Sequence, residues 1–222
     1  QSGFFGYLRG GYSTAELRRI DGLAHGLGIE MIPCIQTLAH MGQVLQWPAY
    51  APLRDTFGIL LAGEEKTYAF IEKLVRAASA PFRSRRIHIG MDEAKGLGTG
   101  EYKVRHGERD PFDIMNAHLA RVRTICRRQG LRPMIWSDMY FRLGSKSHGY
   151  YDKASVIPPR VIARIPRDVQ LVYWDYYHHE KAFYREWIRR HRRLGSDPIM
   201  AAGVWTILGR TPSHGGSSPS RR

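Results

Sequence analysis

The sequence predicts an α/β fold, a (β/α)8 barrel represented by about five βα units, and three observations lead there. Short apolar runs alternate with amphipathic ones along most of the 222 residues, the pattern of right-handed βα units around a parallel sheet. No glycine-rich phosphate loop follows the first apolar run, as a dinucleotide-binding doubly wound sheet would require. Each predicted strand also ends in polar or aromatic residues: Gln36 and His40, Asp92 and Glu93, Trp136 and Asp138, Tyr173 and Asp175, and Trp205. A barrel collects its functional groups in this way, from the C-terminal ends of several strands.

The elements follow in order. Ser13-Thr14-Ala15-Glu16 reads as a capping box, with Leu17, Ile20, Ala24 and Leu27 at helical spacing behind it and Gly28 as the stop. Residues 29–36 (IEMIPCIQ) read as a strand. A helix over 64–78 carries Tyr68, Ile71, Leu74, Val75 and Ala78 on one side, and residues 87–92 form the next strand. Asp110-Pro111 caps a helix that runs to Gly130, with proline at its first position. Residues 133–138, 169–175 and 199–205 are the third, fourth and fifth strands, and a helix over 180–194 buries Phe183, Trp187, Ile188 and Leu194. Residues 1–206 are expected to be the partial barrel domain. Residues 207–222, polar and low in complexity (TPSHGGSSPSRR at its end), are expected to be a disordered basic tail.

Composition narrows the function classes. Hydrophobic residues make up 43% and the mean hydropathy is −0.40, which excludes both a chain dominated by membrane helices and a disordered one. Gln1 opens the chain inside a loop-like stretch, so a fragment of a longer protein is expected, with a leader upstream left open. Two cysteines, Cys34 and Cys126, exclude a disulfide scaffold and suit a reduced interior. The 34 Lys and Arg against 20 Asp and Glu give +14, which raises a nucleic-acid-binding module as a rival reading. The arginines fall in short groups (Arg83, Arg85 and Arg86; Arg127 and Arg128; Arg189, Arg190, Arg192 and Arg193) near helix ends. There they read as solvated outer surface. They are not interleaved with stacking aromatics as single-strand binding needs.

The sharpest signal is HIGMDEA at 88–94. Strand alternation puts His88, Gly90 and Asp92 on one face, toward the barrel interior, with Ile87, Ile89 and Met91 toward the outer helices. Glu93 then sits at the strand's mouth beside Asp92. Two adjacent carboxylates hinder each other's ionisation, so one of them is expected to stay protonated and act as a general acid. A generic Asp-Glu pair would more often be a capped strand end, and Trp136 alone would more often be core.

This string and its surroundings resemble glycoside hydrolase family 20, whose motif is H/N-x-G-x-D-E-A at the end of a barrel strand; His88, Gly90, Asp92, Glu93 and Ala94 all match. The resemblance covers roughly residues 6–206. It implies a β-N-acetylhexosaminidase in which Glu93 is the acid/base and Asp92 orients the 2-acetamido group of the substrate. The acetamido oxygen itself would attack the anomeric carbon, an exception to the usual pair of protein carboxylates. It further implies pocket roles for His40, His88, Trp136, Asp138, Tyr173, Asp175 and Trp205. Asp138 would contact sugar or order Glu93, Tyr173 would bond the acetamido oxygen, Asp175 would take a ring hydroxyl and Trp205 would floor the subsite.

Two family strands expected before Gly6, with a sugar-binding arginine, have no counterpart in the sequence, and neither does the last strand after Trp205. A catalytically inactive truncated form is therefore the alternative reading. No cofactor and no metal set are expected, since His178-His179-Glu180 and His88 fit no standard ligand spacing. The expected partner is a terminal N-acetylhexosamine of a glycoconjugate, with no nucleic acid and no membrane, and a homodimer is a possible assembly. Cytoplasm and nucleus are the expected compartments; there is no N-x-[ST] sequon.

Overall fold

The computed structural model describes residues 10–203. Helix α1 (Thr14–Gly26) begins with the capping box: Glu16 N donates to Ser13 Oγ at 3.2 Å and Ser13 N donates to Glu16 Oε2 at 2.6 Å. Its apolar side is only half covered, with Leu23 and Leu27 exposed, and its one buried residue is Asp21, paired with Arg83 at 2.7 Å.

Four parallel strands follow in sequential order: β1 (Arg86–His88), β2 (Arg132–Trp136), β3 (Gln170–Trp174) and β4 (Ile199–Ala201). Between them lie α2 (Gly42–Leu45), a 3-10 turn (Pro48–Leu53), α3 (Glu65–Ser79), α4 (Glu101–His106), α5 (Pro111–Arg128), α6 (Asp138–Gly144), α7 (Pro159–Ile162) and α8 (Lys181–Arg192). Each parallel crossover runs through helix, as parallel pairing demands. Asp110 caps α5 by accepting from Phe112 N at 2.8 Å, with Pro111 at the first position.

The strand expected over 29–36 forms only one bridge, Cys34 opposite His88, with Ile35 N donating to His88 O and His88 N to Pro33 O. In that register residues 29–31 lie ahead of the start of β1 and have no strand partner among the described residues. The segment is still the fifth member of the sheet in space. Strand β1 is also shorter than expected. It stops at His88, and Gly90, Met91 and Glu93 have φ of 70°, 76° and 49°, so strict alternation ends before the carboxylates.

Registers His88↔Met134, Trp136↔Val172 and Trp174↔Ala201 align one face of the sheet. That face carries Arg86, His88, Met134, Trp136, Val172 and Trp174. The other face, with Ile87, Ile135, Leu171 and Tyr173, packs under α3, α5 and α8 in the main core with Ile71, Val75, Met115, Leu119 and Trp187. Members of the arginine groups are ion-paired: Arg83 with Asp21, Arg86 with Glu30, Arg127 with Asp168, Arg190 with Glu186 and Arg192 with Asp197. The expected tail at 207–222 lies outside the described residues.

Candidate active site

The C-terminal ends of the strands bring together His40, Asp92, Glu93, Trp136, Asp138 and Arg142. His40 follows the bridged segment with φ of 56°, and Glu93 follows β1 with φ of 49°. Non-glycine residues held in the left-handed region cost roughly 1–3 kcal/mol each and concentrate at functional sites. His40 Nε2 lies 3.2 Å from Asp92 Oδ2 and 3.6 Å from Glu93 Oε2. Gln36 Nε2 donates to Asp92 Oδ1 at 2.9 Å, and its Oε1 accepts from Met91 N at 3.3 Å. Gly90 makes this possible, because a Cβ there would lie 2.1 Å from Gln36 Oε1 and 2.9 Å from Ile35 O.

These contacts set the charges. Burial would raise the Asp92 carboxyl, but the hydrogen bonds from His40 and Gln36 outweigh it and hold Asp92 below the usual carboxylate range. The bond to Asp92 raises the His40 imidazole above its ordinary value against the opposing effect of burial. Asp92 is thus not the carboxyl that stays protonated. The raised carboxyl is Asp138, fully buried and pushed up to about 6 by desolvation and then by the Asp92 charge, against the pull of Arg142.

Arg142 ties the two strand ends together. Its Nε donates to Asp138 Oδ2 at 2.7 Å and its Nη2 to Glu93 Oε1 at 2.8 Å, while Glu93 N donates to the same Asp138 oxygen at 3.2 Å. Asp138 has no surface open to a sugar; it lies beneath Glu93. Its Oδ1 has no partner among the described residues. His88 is buried behind Trp136, with ring centroids 4.2 Å apart, and Gly90 N donates to its Nδ1 at 3.1 Å. That bond places the ring proton on Nε2, and desolvation lowers the imidazole to about 4, so it stays neutral.

Tyr173 and Asp175 do not join the site. The register of β3 turns Tyr173 to the helix side, fully buried against Tyr184 and His191 of α8. Its hydroxyl donates to Asp175 Oδ2 at 2.9 Å, and Asp175 is itself buried and paired with His178 Nδ1 at 2.9 Å. The pocket side of this strand end carries Trp174 and Tyr176 instead, stacked with centroids 5.8 Å apart. Burial and then the Asp92 charge raise the Tyr176 phenol. Counting the alternation from Val172 would have found Trp174 and Tyr176. Arg142 left only the weak signal of a cation four residues after Asp138. Trp205 lies outside the described residues.

His40, Asp92 and Glu93 place three ligand-type atoms within 4.8 Å of one another, a grouping that spacing along the chain does not reveal. In this geometry the same atoms make a hydrogen-bonded acid–imidazole cluster.

Residues 6–182 match the glycosyl hydrolase family 20 catalytic domain. The chain belongs to that family. It is 27% identical over 207 residues to human hexosaminidase D, covering 87% of this chain and 40% of that protein. Against hexosaminidase D of Bos taurus the identity is 26%, covering 87% and 56%. The chain thus spans about half, or less, of the length of these relatives. Among solved structures, a β-N-acetylhexosaminidase superposes with a TM-score of 0.62 at 17% identity, over 87% of this chain and 40% of that one. The Bacteroides fragilis β-N-acetylhexosaminidase gives 0.58 at 19%, over 92% and 40%. At such identities the likeness establishes the fold: the family 20 domain is a (β/α)8 barrel, and the four-stranded parallel sheet is part of one.

Proposed function

We propose that this chain carries the catalytic centre of an exo-acting β-N-acetylhexosaminidase. It would release terminal non-reducing N-acetylgalactosamine or N-acetylglucosamine from glycoconjugates, with retention and through the substrate's own 2-acetamido group. The observation that carries this reading is the division of labour between neighbouring carboxylates: Asp92 is anchored and ionised, while the Glu93 side chain is 42% exposed beside it. An ionised Asp92 accepts from the acetamido N–H and opposes the positive charge that grows as the carbonyl oxygen closes on the anomeric carbon. Glu93 gives its proton to the glycosidic oxygen as the C1–O bond breaks. It then takes one from the water that opens the oxazolinium ring. Trp136, backed by His88, supplies an apolar wall for the sugar.

No helix among the described residues is long and apolar enough to cross a membrane. The ion-paired arginines on the outer surface argue against a nucleic-acid face. Cytoplasm and nucleus, as reducing compartments, suit the two free cysteines, Cys34 and Cys126. A homodimer belongs to the same reading, and sedimentation tests it. The second reading is a catalytically inactive truncated form.

The test is hydrolysis of the 4-nitrophenyl β-N-acetylgalactosaminide, β-N-acetylglucosaminide and β-glucoside by this chain and by its Glu93→Gln variant. Turnover of the N-acetyl substrates that disappears in the variant is expected. Equal turnover of the β-glucoside would overturn substrate assistance. Silence here with activity in a longer chain would select the truncated form.

A further inference from the structure

His40 and Glu93 arrive on different loops, and one hairpin holds both loops. Residues 54–60 close on themselves through an antiparallel bridge between Arg54 and Leu60, with Asp55 N donating to Ile59 O at 2.9 Å. The hairpin grips the first loop on either side of His40: Leu60 N donates to Leu38 O at 2.8 Å, and Met41 N donates to Gly58 O at 2.9 Å. It grips the second loop through Asp55. One carboxylate oxygen of Asp55 accepts from Gly98 N and the other from Tyr102 N, both at 2.8 Å, and its carbonyl accepts from Glu101 N at 3.1 Å. Between Glu93 and Gly98 the chain is wound tight, with Lys95 N donating to Glu93 O at 2.7 Å and Leu97 N to Ala94 O at 3.2 Å. The approach is close: a Cβ on Gly100 would lie 2.2 Å from Asp55 O. Asp55 is buried and both its carboxylate oxygens are taken by backbone donors, so losing Oδ2 leaves the buried Gly98 N–H unpaired.

We propose that Asp55 is a positioning residue of the active site: through the 54–60 hairpin it sets the distance between His40 and Glu93, and with it the way the acid–imidazole cluster is presented to substrate. Its consequence for turnover rests on the reaction proposed above; the geometry is read without turnover. Among the described residues no hydrogen bond or ion pair joins Asp55 to either side chain. The charges that raise His40 are those of Asp92, Glu93 and Asp138. A change at Asp55 therefore reaches the imidazole through the backbone and not through its own charge. Misplacing a reacting group by about 1 Å costs on the order of 10²-fold in rate, so a strut that touches no substrate is still visible in kcat.

The experiment compares Asp55→Asn and Gly100→Ala with Val75→Ala, which opens a cavity at a fully buried position of α3. Asp55→Asn replaces one acceptor by an amide that donates, and Gly100→Ala drives a methyl against Asp55 O without changing charge. Proton NMR of His40 is the first readout. Both clamp variants are expected to lower its midpoint by about 0.5 pH unit as contact with Asp92 and Glu93 loosens, and Val75→Ala to leave it in place. Steady-state kinetics on the 4-nitrophenyl β-N-acetylhexosaminides are the second: kcat should fall about tenfold or more in both clamp variants, with KM changed less than about twofold. An unmoved midpoint, an equal shift in Val75→Ala, or an intact kcat beside a shifted midpoint would overturn the proposal. If the wild-type chain hydrolyses neither substrate, the proposed reaction fails for this chain and the His40 midpoint alone decides the clamp. Should neither clamp variant fold, amide exchange in the native wild-type chain decides it. The Gly98, Tyr102, Leu60 and Met41 N–H groups open together if the hairpin joins the loops as one unit, and unrelated opening would overturn the proposal.

Discussion

Arg142 Nη2 donates to Glu93 Oε1 at 2.8 Å while its Nε holds Asp138 at 2.7 Å, so one guanidinium fixes the exposed carboxylate against the buried one. In this arrangement Glu93 accepts hydrogen bonds, as it must when it acts as the base. Oε1 accepts from Arg142 in either protonation state, so the proton passed to a leaving group is carried on Oε2, and the bond to Asp138 keeps the guanidinium in place. Arg142→Gln is expected to lower kcat about tenfold to hundredfold, or ~1.4–2.7 kcal/mol on the barrier, with a smaller change in KM. Steady-state kinetics on an N-acetylhexosaminide decide it.

Glu93→Gln keeps the size of the side chain and removes its proton chemistry. The expected loss is roughly 10²- to 10⁴-fold in kcat, the usual range for a general acid–base group. Because the side chain is 42% exposed, the thermal midpoint should move by no more than a few degrees. A variant that melts early would point instead to a structural role.

The His40–Asp92 pair predicts a titration with two limits. His40 is raised in the folded state, so its contribution is complete below 6.5, the ordinary imidazole value, and fades as pH rises through its folded value. Asp92 is lowered, so its contribution is complete above 3.8 and is lost as pH falls through its folded value. The pair is therefore at full strength between about pH 4 and 6.5. Proton NMR of His40 should show its midpoint falling in Asp92→Asn; an unmoved midpoint would break the assignment.

His88, His118 and His191 are each lowered from 6.5 to about 4, mainly by desolvation. His118 bonds Thr37 O through Nε2 at 2.9 Å, and His191 bonds Trp187 O through Nδ1 at 2.7 Å. The unfolded chain takes up their protons first, so stability falls as pH drops from 6.5 toward 4. The slope reaches about 1.4 kcal/mol per pH unit for each histidine. Urea unfolding across this range should show the loss, and His191→Gln should remove one proton from the slope.

Gly90→Ala places a Cβ against Gln36 and the Ile35 carbonyl at a φ of 70°. We expect a destabilisation of about 1–3 kcal/mol and a displaced Gln36, which frees Asp92 from one of its donors. The combined signature is a lower melting temperature with a shifted His40 titration.

The sequence by itself determined the order of helices and strands, the barrel family and the position of Asp92 and Glu93. Each of these follows from local signals: the Ser13–Glu16 box, the Asp110-Pro111 cap, the period of apolar residues and a contiguous motif. What only the tertiary structure decided is which way side chains point once the chain leaves regular geometry. Strand β1 ends at His88 and three left-handed residues follow, so Asp92 and Glu93 are aimed by Gln36, His40 and Arg142 rather than by strand alternation. At the end of β3, parity alone already separates Trp174 from its neighbours Tyr173 and Asp175. The aromatic packing of α8 takes Tyr173 into the core and leaves Trp174 and Tyr176 facing the pocket. Charge was decided in the same way. Two adjacent carboxylates in sequence suggest a shared proton, yet the donors that surround Asp92 arrive from 56 and 52 residues earlier in the chain, and the carboxyl raised by burial is Asp138. Periodicity records which residues avoid water; only the folded chain brings distant donors within hydrogen-bonding distance.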